Sequence, residues 1–237
     1  MATPPTFVTE YEVTWTSTGA STAKTISVTV DVGDLLVVLG GTEQGGLTLG
    51  TPTGGGLTYT SRQAAVPGPT WSTAYIWTAP SASAQTFTLS ITNSAQSGEW
   101  GYNVLRYSAH GGVGASNNGN VSGAAPSLGL TTTGDNSAIA IFNADWNATD
   151  GTSRTWRSVN GAAATEQSYY RNSASYAAYA GRHVDAAAAG AKTVGLSAPT
   201  GQKHTTVAVE ILGTSSAFTP PPIAQVTREA LTRSHYW

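Results

Sequence analysis

Histidine and serine are the side chains from which a hydrolytic nucleophile and its base would be built. The four histidines, His110, His183, His204 and His235, lie in no Gly-x-Ser-x-Gly context or similar nucleophile motif. The His110-Gly111-Gly112 run superficially resembles an oxyanion loop, but a turn after a strand is the simpler interpretation. The chain has no cysteine, which excludes thiol nucleophiles, thiolate metal sites and disulfides. We therefore predict that the protein is not an enzyme.

Carboxylates are the second source of chemistry, because glycoside hydrolysis needs two acids about 5–10 Å apart across a cleft. Glu99, Glu166, Asp145 and Asp150 are available, and their spacing along the chain selects no pair. A glycan hydrolase therefore stays an alternative that only the tertiary structure can address.

One loop has the oxygen ligands that calcium favours. Asp145, Asn147 and Asp150 fall in the run DWNATDG, which closes with a glycine at residue 151. The spacing is not that of an EF-hand, and an Asx-turn whose side chains bond to the local backbone is the favoured interpretation. These three residues are a weak metal candidate, and we expect neither a metal nor a cofactor.

Aromatic side chains are the remaining candidates for a binding site. Trp146, Trp156, Tyr169 and Tyr170 flank the predicted loops and turns of the second half of the chain. An exposed row of such rings on one sheet would suit stacking against sugars, which makes these four residues our glycan-binding candidates. The alternative is that they pack in the core or at its rim, as most such rings do in β-sandwiches.

The elements that must position these side chains are predicted to be strands. Only 10% of the 237 residues are charged, against about 25% in an ordinary domain, so the residues that build helix surfaces are scarce. Period-two alternation, as in residues 86–91, is typical of half-buried antiparallel strands. The predicted strands are 7–16, 25–32, 35–39, 57–62, 73–78, 86–92, 102–108, 127–132, 138–143, 155–159, 176–183, 193–196 and 205–212. This pattern predicts an all-β, jelly-roll-like antiparallel β-sandwich with a proline-linked C-terminal peptide.

The β-sandwich is expected to span residues 1–212 and to consist of two similar halves, about 7–108 and 127–212. Residues 74–75 match 178–179, and 103–108 match 207–212, both at a separation of 104 residues. Gly33-Asp34 and Gly134-Asp135 each precede an apolar strand. Residues 111–123, rich in Gly and Asn, are interpreted as a gap between the halves. Two separate domains remain the alternative.

Composition changes after Leu212. Residues 213–222 read as a proline-rich linker, and residues 223–237 form a short apolar peptide beyond it. A free tail would leave the apolar side chains of this peptide exposed to solvent, so we interpret it as an assembly or docking peptide. Its candidate contact residues are Ile223, Val226, Leu231, Tyr236 and Trp237. A frayed tail is the alternative.

The charge and hydropathy patterns exclude several partners. The formal net charge is −2 with no basic run, which removes the electrostatic basis for binding nucleic acid. No stretch approaches the roughly 20 apolar residues needed to span a bilayer, so membrane insertion is not expected. The N-terminus carries neither a cationic start nor an apolar core, which predicts a protein made without a signal peptide.

Three stretches resemble a known family: LRYSAHGGVGAS at 105–116, DWNATDGTSRTWR at 145–157, and GAKTVGLSAPTGQK at 190–203 leading into VAVE at 207–210. The family consists of virion proteins from phages of actinobacteria, usually labelled minor tail proteins. The likeness covers about residues 7–212. The segment 222–231 also looks like short segments that follow proline spacers in such proteins, where the segment often recurs; here it occurs once.

The resemblance implies a non-enzymatic structural protein on the surface of a phage particle, made in the host cytoplasm. Its partners would be other virion proteins of the tail or capsid, and a homo-oligomer and a host cell-wall glycan are further expectations. A surface module of the tail that contributes to host attachment is the leading hypothesis. A capsid decoration or head-fibre protein is the first alternative, and a carbohydrate-binding module is the second.

Overall fold

The structure, a computed structural model, describes residues 2–18, 22–44, 46–65, 71–94, 98–146, 153–172 and 176–214. These residues form eighteen strands and no helix, so the prediction of an all-β fold is confirmed. Within the same residues there is accordingly no helix long and apolar enough to cross a membrane.

The first half of the chain contributes β1 (Thr6–Glu12), β2 (Thr16–Thr18), β3 (Ala23–Val30), β4 (Leu35–Thr42), β5 (Thr60–Ala65), β6 (Thr73–Pro80), β7 (Gln85–Thr92) and β8 (Gly98–Ser108). The second half contributes β9 (His110–Ala124), β10 (Ser127–Thr132), β11 (Ala138–Asp145), β12 (Thr155–Trp156), β13 (Ser158–Val159), β14 (Ala162–Ala163), β15 (Thr165–Arg171), β16 (Ala177–His183), β17 (Gly190–Ala198) and β18 (Gln202–Gly213).

Side-chain patterns explain which strands lie in the middle. Every residue of β4 and of β11 is buried, as expected for a strand with a packed layer on each face. Strands β3 and β7 instead alternate between exposed and more buried residues, because one of their faces is open to solvent. The continuous and alternating apolar runs of the sequence therefore mark inner and outer layers respectively.

The two halves repeat one strand order. In the first half the sheet runs β1-β8-β4-β6-β5, with β2 also pairing with β8, and β3 pairs with β7 in a separate layer. In the second half the sheet runs β9-β18-β11-β16-β15, and β10 pairs with β17, which also pairs with β12. Both larger sheets are antiparallel throughout. The jelly-roll pattern of connections stays a prediction.

The larger sheets of the two halves pack against each other around one shared core. Residues of both sheets form this cluster, with Leu35, Val37 and Ile76 on one side and Phe142 and Val209 on the other. The outer face of the first sheet packs under β3 and β7, and that of the second under β10 and β17. The molecule therefore has four stacked β layers, and the two large sheets in the middle belong to different halves.

One expectation about chain organisation is wrong. Residues 111–123, interpreted as a gap, lie within β9, which pairs along its length with β18. Gly33-Asp34 and Gly134-Asp135 do each precede a buried strand, β4 and β11. Gly33 and Asn136, both two residues before their strand, have φ values of +81° and +53°, a conformation that Gly and Asn tolerate best.

Candidate functional site

Two seams run along the sides of the interface between the large sheets. In one, β1 and the chain leading to β2 lie opposite β15; in the other, β9 lies opposite β5. Strand pairing makes these seams equivalent, because β1 and β9 hold the same place in their sheets, as do β15 and β5. The two strands also carry a β-bulge at the equivalent position, between Ser61 and Gln63 in β5 and between Glu166 and Ser168 in β15.

The seam between β5 and β9, the closed seam, is bridged by side-chain hydrogen bonds. The Gln63 amide donates to the Ser116 hydroxyl at 3.1 Å, and the Asn118 amide donates to Gln63 Oε1 at 2.5 Å. The Ser116 hydroxyl donates in turn to the carbonyl of Arg62. Cα atoms of β5 and β9 approach within 8 Å along this seam, whereas those of β1 and β15 stand further apart for nearly all their length.

The seam between β1 and β15, the open seam, has different residues at the equivalent positions. Glu10 and Glu12 take the places of Ser116 and Asn118, as judged by their pairing with β8 and β18. Tyr169 and Tyr170 take the places of Ala64 and Ala65. Two carboxylates and two phenol rings therefore replace the hydroxyl, amide and methyl groups of the closed seam.

These substitutions leave a groove of about 350 Å³, lined by Glu12, Thr14, Trp15, Tyr169 and Tyr170. Trp15 lies at its base, 5% exposed, and its ring stacks on Tyr170 with centroids 5.6 Å apart and an interplanar angle of 16°. A pocket with aromatic walls and a few polar groups is the usual form of a small-ligand site.

Backbone and charge hold Trp15 in place. On one side its ring lies against Gly101, where an added Cβ would come within 2.5 Å of the indole. The Lys24 ammonium donates to the carbonyls of Thr14 and Thr16, each at 3.0 Å, and fixes the loop on either side of the ring. Burial lowers the pKa of Lys24 to about 8, although Glu99 favours the charged form.

Carboxylates follow the inner side of the open seam. The Asn103 amide donates to Glu10 Oε1 at 2.8 Å and favours the charged form of the nearby Glu12 carboxyl group, lowering its pKa against the effect of burial. Further along, the charges of Glu99 and Glu43 add to burial in raising the pKa of Tyr170, and the Glu99 backbone N–H donates to Glu43 Oε2 at 3.4 Å. The groove therefore presents mainly hydrogen-bond acceptors beside its aromatic walls.

Burial changes the acidity of these carboxyl groups. The pKa of Glu10 rises to about 7, chiefly through burial and also through the nearby Glu12 charge, while Asn103 and Arg182 act in the opposite direction. Burial also raises the pKa of Glu43, and local packing around the carboxyl group raises that of Glu12, although Glu12 as a whole residue is exposed. The carboxyl groups are thus crowded in a partly dry region.

Fully buried polar atoms border the same seam. The Asn103 side chain is 0% exposed, and its Oδ1 has no hydrogen-bond partner among the described residues. The Tyr176 hydroxyl, equally buried, also has none there, and its ring contacts those of Trp15 and Tyr170 at 6.1 and 6.4 Å. Buried polar atoms normally have a hydrogen-bond partner, so Asn103 and Tyr176 add polar character to the inner side of the seam.

The four predicted glycan-binding residues do not form one row. Tyr169 and Tyr170 lie in strand β15, which the sequence did not predict, and both line the open groove. Trp156 instead packs over Gly181, where an added Cβ would meet the indole at 2.6 Å. Trp146 lies just beyond β11 and donates its backbone N–H to the Lys203 carbonyl.

Trp156 belongs to a cluster that adjoins the groove behind Tyr169. Arg154 stacks on the Tyr169 ring, 3.5 Å from its centroid, and pairs with both Glu166 oxygens at 2.8 and 2.5 Å. The Trp156 indole N–H donates to Glu166 at 2.9 Å. The cluster supports one face of Tyr169, so it orders the groove wall rather than forming a second row of platforms.

A larger groove of about 540 Å³ lies on the outer layer beside β12 and β17. It is lined by residues 155–160, by 191–193 and by Ser197. Trp156 is the aromatic residue of this lining, but its ring faces Gly181 and its N–H is already bonded. We therefore regard the open seam as the better candidate site.

The remaining predicted residues are distributed as follows. Asp145 ends β11, is 0% exposed and accepts the Tyr179 hydroxyl at 3.4 Å, whereas Asn147 and Asp150 lie outside the described residues. No group of three or more His, Cys, Asp or Glu residues within the described ranges is placed to hold a metal. The docking-peptide residues Ile223, Val226, Leu231, Tyr236 and Trp237 also fall outside the described residues.

Sequence reasoning missed Trp15, Glu10 and Glu12, because they fall inside a run predicted as one strand. A signal was present in the sequence, because Ala64-Ala65 begins ten residues before the matched pair at 74–75 and Tyr169-Tyr170 begins nine residues before the pair at 178–179. Aligning the halves over this stretch would have shown alanines opposite tyrosines.

Comparisons of the chain with protein-family models, curated proteins and solved structures find no match.

Proposed function

We propose that the protein is a non-enzymatic structural protein of a phage virion, a surface module of the tail that contributes to host adsorption. The resemblance of residues 105–116, 145–157 and 190–203 to minor tail proteins supports the location. The open seam carries the adsorption part of the proposal, because a rigid β body with one aromatic, carboxylate-lined groove suits recognition of a surface ligand.

Stability without cross-links supports a role on a particle. The chain has no cysteine, and its two halves share one buried core that joins their large sheets. Burial of apolar surface stabilises by about 25 cal/mol per Å², so a joint core resists unfolding of either half alone. A body of this kind suits repeated display, where many weak contacts add to high avidity.

Immunogold labelling of intact particles with an antibody to residues 1–212 tests the location. We expect label confined to the tail or its tip. Label over the head would instead favour the alternative of a capsid decoration or head-fibre protein. Absence of label from every particle would overturn the virion proposal.

The C-terminal peptide is proposed to anchor the module to the particle. Deletion of residues 218–237 is expected to abolish incorporation while leaving the folded body intact. Normal incorporation of the truncated protein would show that the body anchors itself, for example through its edge strands.

A carbohydrate-binding module is the second candidate, and the stacked rings of Trp15 and Tyr170 favour it. Its test is the intrinsic tryptophan fluorescence on addition of host-wall glycans, because Trp15 lies at the base of the groove. Unchanged fluorescence at saturating glycan would count against it. Release of reducing sugar in the same mixture would contradict the non-enzymatic proposal and point to the crowded carboxyl groups.

A further inference from the structure

The open seam differs from the closed seam in charge as well as in shape. Glu10, Glu12, Glu43 and Glu99 follow its length, and Arg182 acts on Glu10 from the opposite sheet. Two other nearby cations are already engaged, because Lys24 donates to backbone carbonyl groups and Arg154 pairs with Glu166. Arg182 also stacks on the Phe7 ring at 4.0 Å, at the end of the seam away from Tyr170. An acidic ligand in the groove would therefore meet like charges, which is a strong basis for rejecting it.

The polar groups of the groove are arranged to accept hydrogen bonds. Glu12 lines the groove, and behind it the Asn103 amide donates to Glu10 and so holds that carboxylate in place. The Thr14 hydroxyl, which also lines the groove, can accept or donate a hydrogen bond beside Glu12. Carboxylates bind hydroxyl donors through charge-assisted hydrogen bonds, which are about twice as strong as neutral ones.

The aromatic rings of the groove provide the apolar contacts that a sugar-binding site needs in addition to polar groups. Tyr169 and Tyr170 both border the groove, but as neighbours in β15 they point to opposite faces of the sheet. Tyr170 faces the groove and stacks on Trp15, which keeps its ring in place, whereas Tyr169 packs toward Tyr179 on the other face. Arg154 holds Tyr169 from its other face. Rings ordered in this way offer apolar faces to the C–H groups of a sugar at low entropic cost.

We propose that the open seam binds a glycan without acidic groups, whose ring packs against Tyr170 beside the groove edge formed by Tyr169 and whose hydroxyl groups donate to Glu12. This inference rests on the adsorption role proposed above and names its site and ligand class. The closed seam, where Ala64, Ala65 and Asn118 hold the equivalent positions, has no such function.

Isothermal titration calorimetry of the full chain tests the inference with three probes: chitotetraose and cellotetraose, which are uncharged, and a hyaluronan tetrasaccharide, which is acidic. We expect binding of an uncharged probe and none of hyaluronan. The test variants adopt the closed-seam residues, Tyr170→Ala and Glu12→Asn, and each is expected to weaken binding at least about tenfold. The matched control, Gln63→Ala in the closed seam, is expected to bind within about twofold of the unaltered protein.

Thermal unfolding of each variant separates lost binding from lost fold. Because Glu12 is exposed, Glu12→Asn keeps the fold even if Tyr170→Ala does not, so the test stands on either variant. Failure of both uncharged probes to bind, equal binding of hyaluronan, or full binding by folded Glu12→Asn would overturn the inference. Immunogold label on the tail together with any of these results would leave the virion location standing and remove only the glycan site.

Discussion

The open and closed seams occupy equivalent places in the same fold, yet they hold the sheets together in different ways. In the closed seam Gln63 joins Ser116 and Asn118 across the interface. In the open seam the short Ser168 stands where Gln63 stands, and carboxylates and rings line a groove instead. The comparison teaches that strand order positions the seam, while a few side chains decide whether the seam is closed by hydrogen bonds or leaves a groove.

Equivalent buried positions inside the two halves also differ in charge. Arg106 in β8 pairs with the buried Asp34 at 2.5 Å and with the more exposed Asp31. Its counterpart in β18 is Glu210, opposite Ile139 as Arg106 is opposite Leu36. Glu210 accepts backbone N–H groups of Ala115, Thr133 and Gly134, and these bonds lower its pKa despite burial.

The largest loss of stability should come from removing Arg106 or its counterpart Glu210. Arg106→Ala leaves Asp34, 2% exposed, without its cation, so we expect the free energy of unfolding to fall by about 3–5 kcal/mol. Urea denaturation measures the loss. The companion variant Glu210→Ala leaves three backbone N–H groups without an acceptor, and its free energy of unfolding is expected to fall by about 2–4 kcal/mol. Losses under 1 kcal/mol for both would contradict the interpretation of these residues as buried charge anchors.

In a second comparison, an indole ring fills the same space in both halves but comes from a different strand in each. Trp77 in β6 stacks on Tyr75 at 5.2 Å, while the equivalent of Trp77 in β16 is Gly181. Trp156 fills that space from β12 and meets Tyr179, the equivalent of Tyr75, edge-on at 6.0 Å. Trp156→Ala should therefore cost about 3 kcal/mol in urea denaturation. A loss below 1 kcal/mol would show that the ring is not needed to fill the second half.

Buried histidines should make the second half sensitive to acid. His204 stands where Trp100 stands, and burial lowers its pKa from 6.5 to about 4. Between these values the unfolded chain binds more protons than the folded one, so stability falls as the pH is lowered. The free energy of unfolding is therefore expected to fall by about 2 kcal/mol between pH 7 and pH 5 because of His204. His204→Gln, compared with the unaltered protein by urea denaturation at both pH values, is expected to reduce that loss by this amount; an unchanged pH dependence would contradict it.

Glu10 should act in the opposite direction, with a smaller effect. Its pKa is raised from 4.5 to about 7, so between these values the folded protein binds more protons and stability falls as the pH rises. Because the side chain is half-buried, solvent screening reduces the cost to about 1 kcal/mol. Glu10→Gln is therefore expected to stabilise at pH 8 and to change nothing at pH 4, as measured by thermal unfolding. Equal stabilisation at both pH values would mean that charge is not the cause.

Much of the fold could be predicted from local pattern. The alternation at 86–91 gave β7 to within a residue, and the predicted strand 127–132 coincides with β10. Strand β9 was missed because Gly and Asn disfavour strands in isolation, and its pairing with the apolar β18 overrides that preference. Strand β15 was missed for a similar reason, since TEQSYYR lacks clean alternation around its bulge.

By itself the sequence determined an all-β protein of two related halves, because scarce charge, period-two runs and repeated short matches are local properties of the chain. It also named Tyr169 and Tyr170. Only the tertiary structure decided that these rings meet Trp15 and Glu12, which lie more than 150 residues earlier in the chain. The physical reason is that a groove between two sheets depends on how their faces stack, and strand patterns carry no record of that stacking.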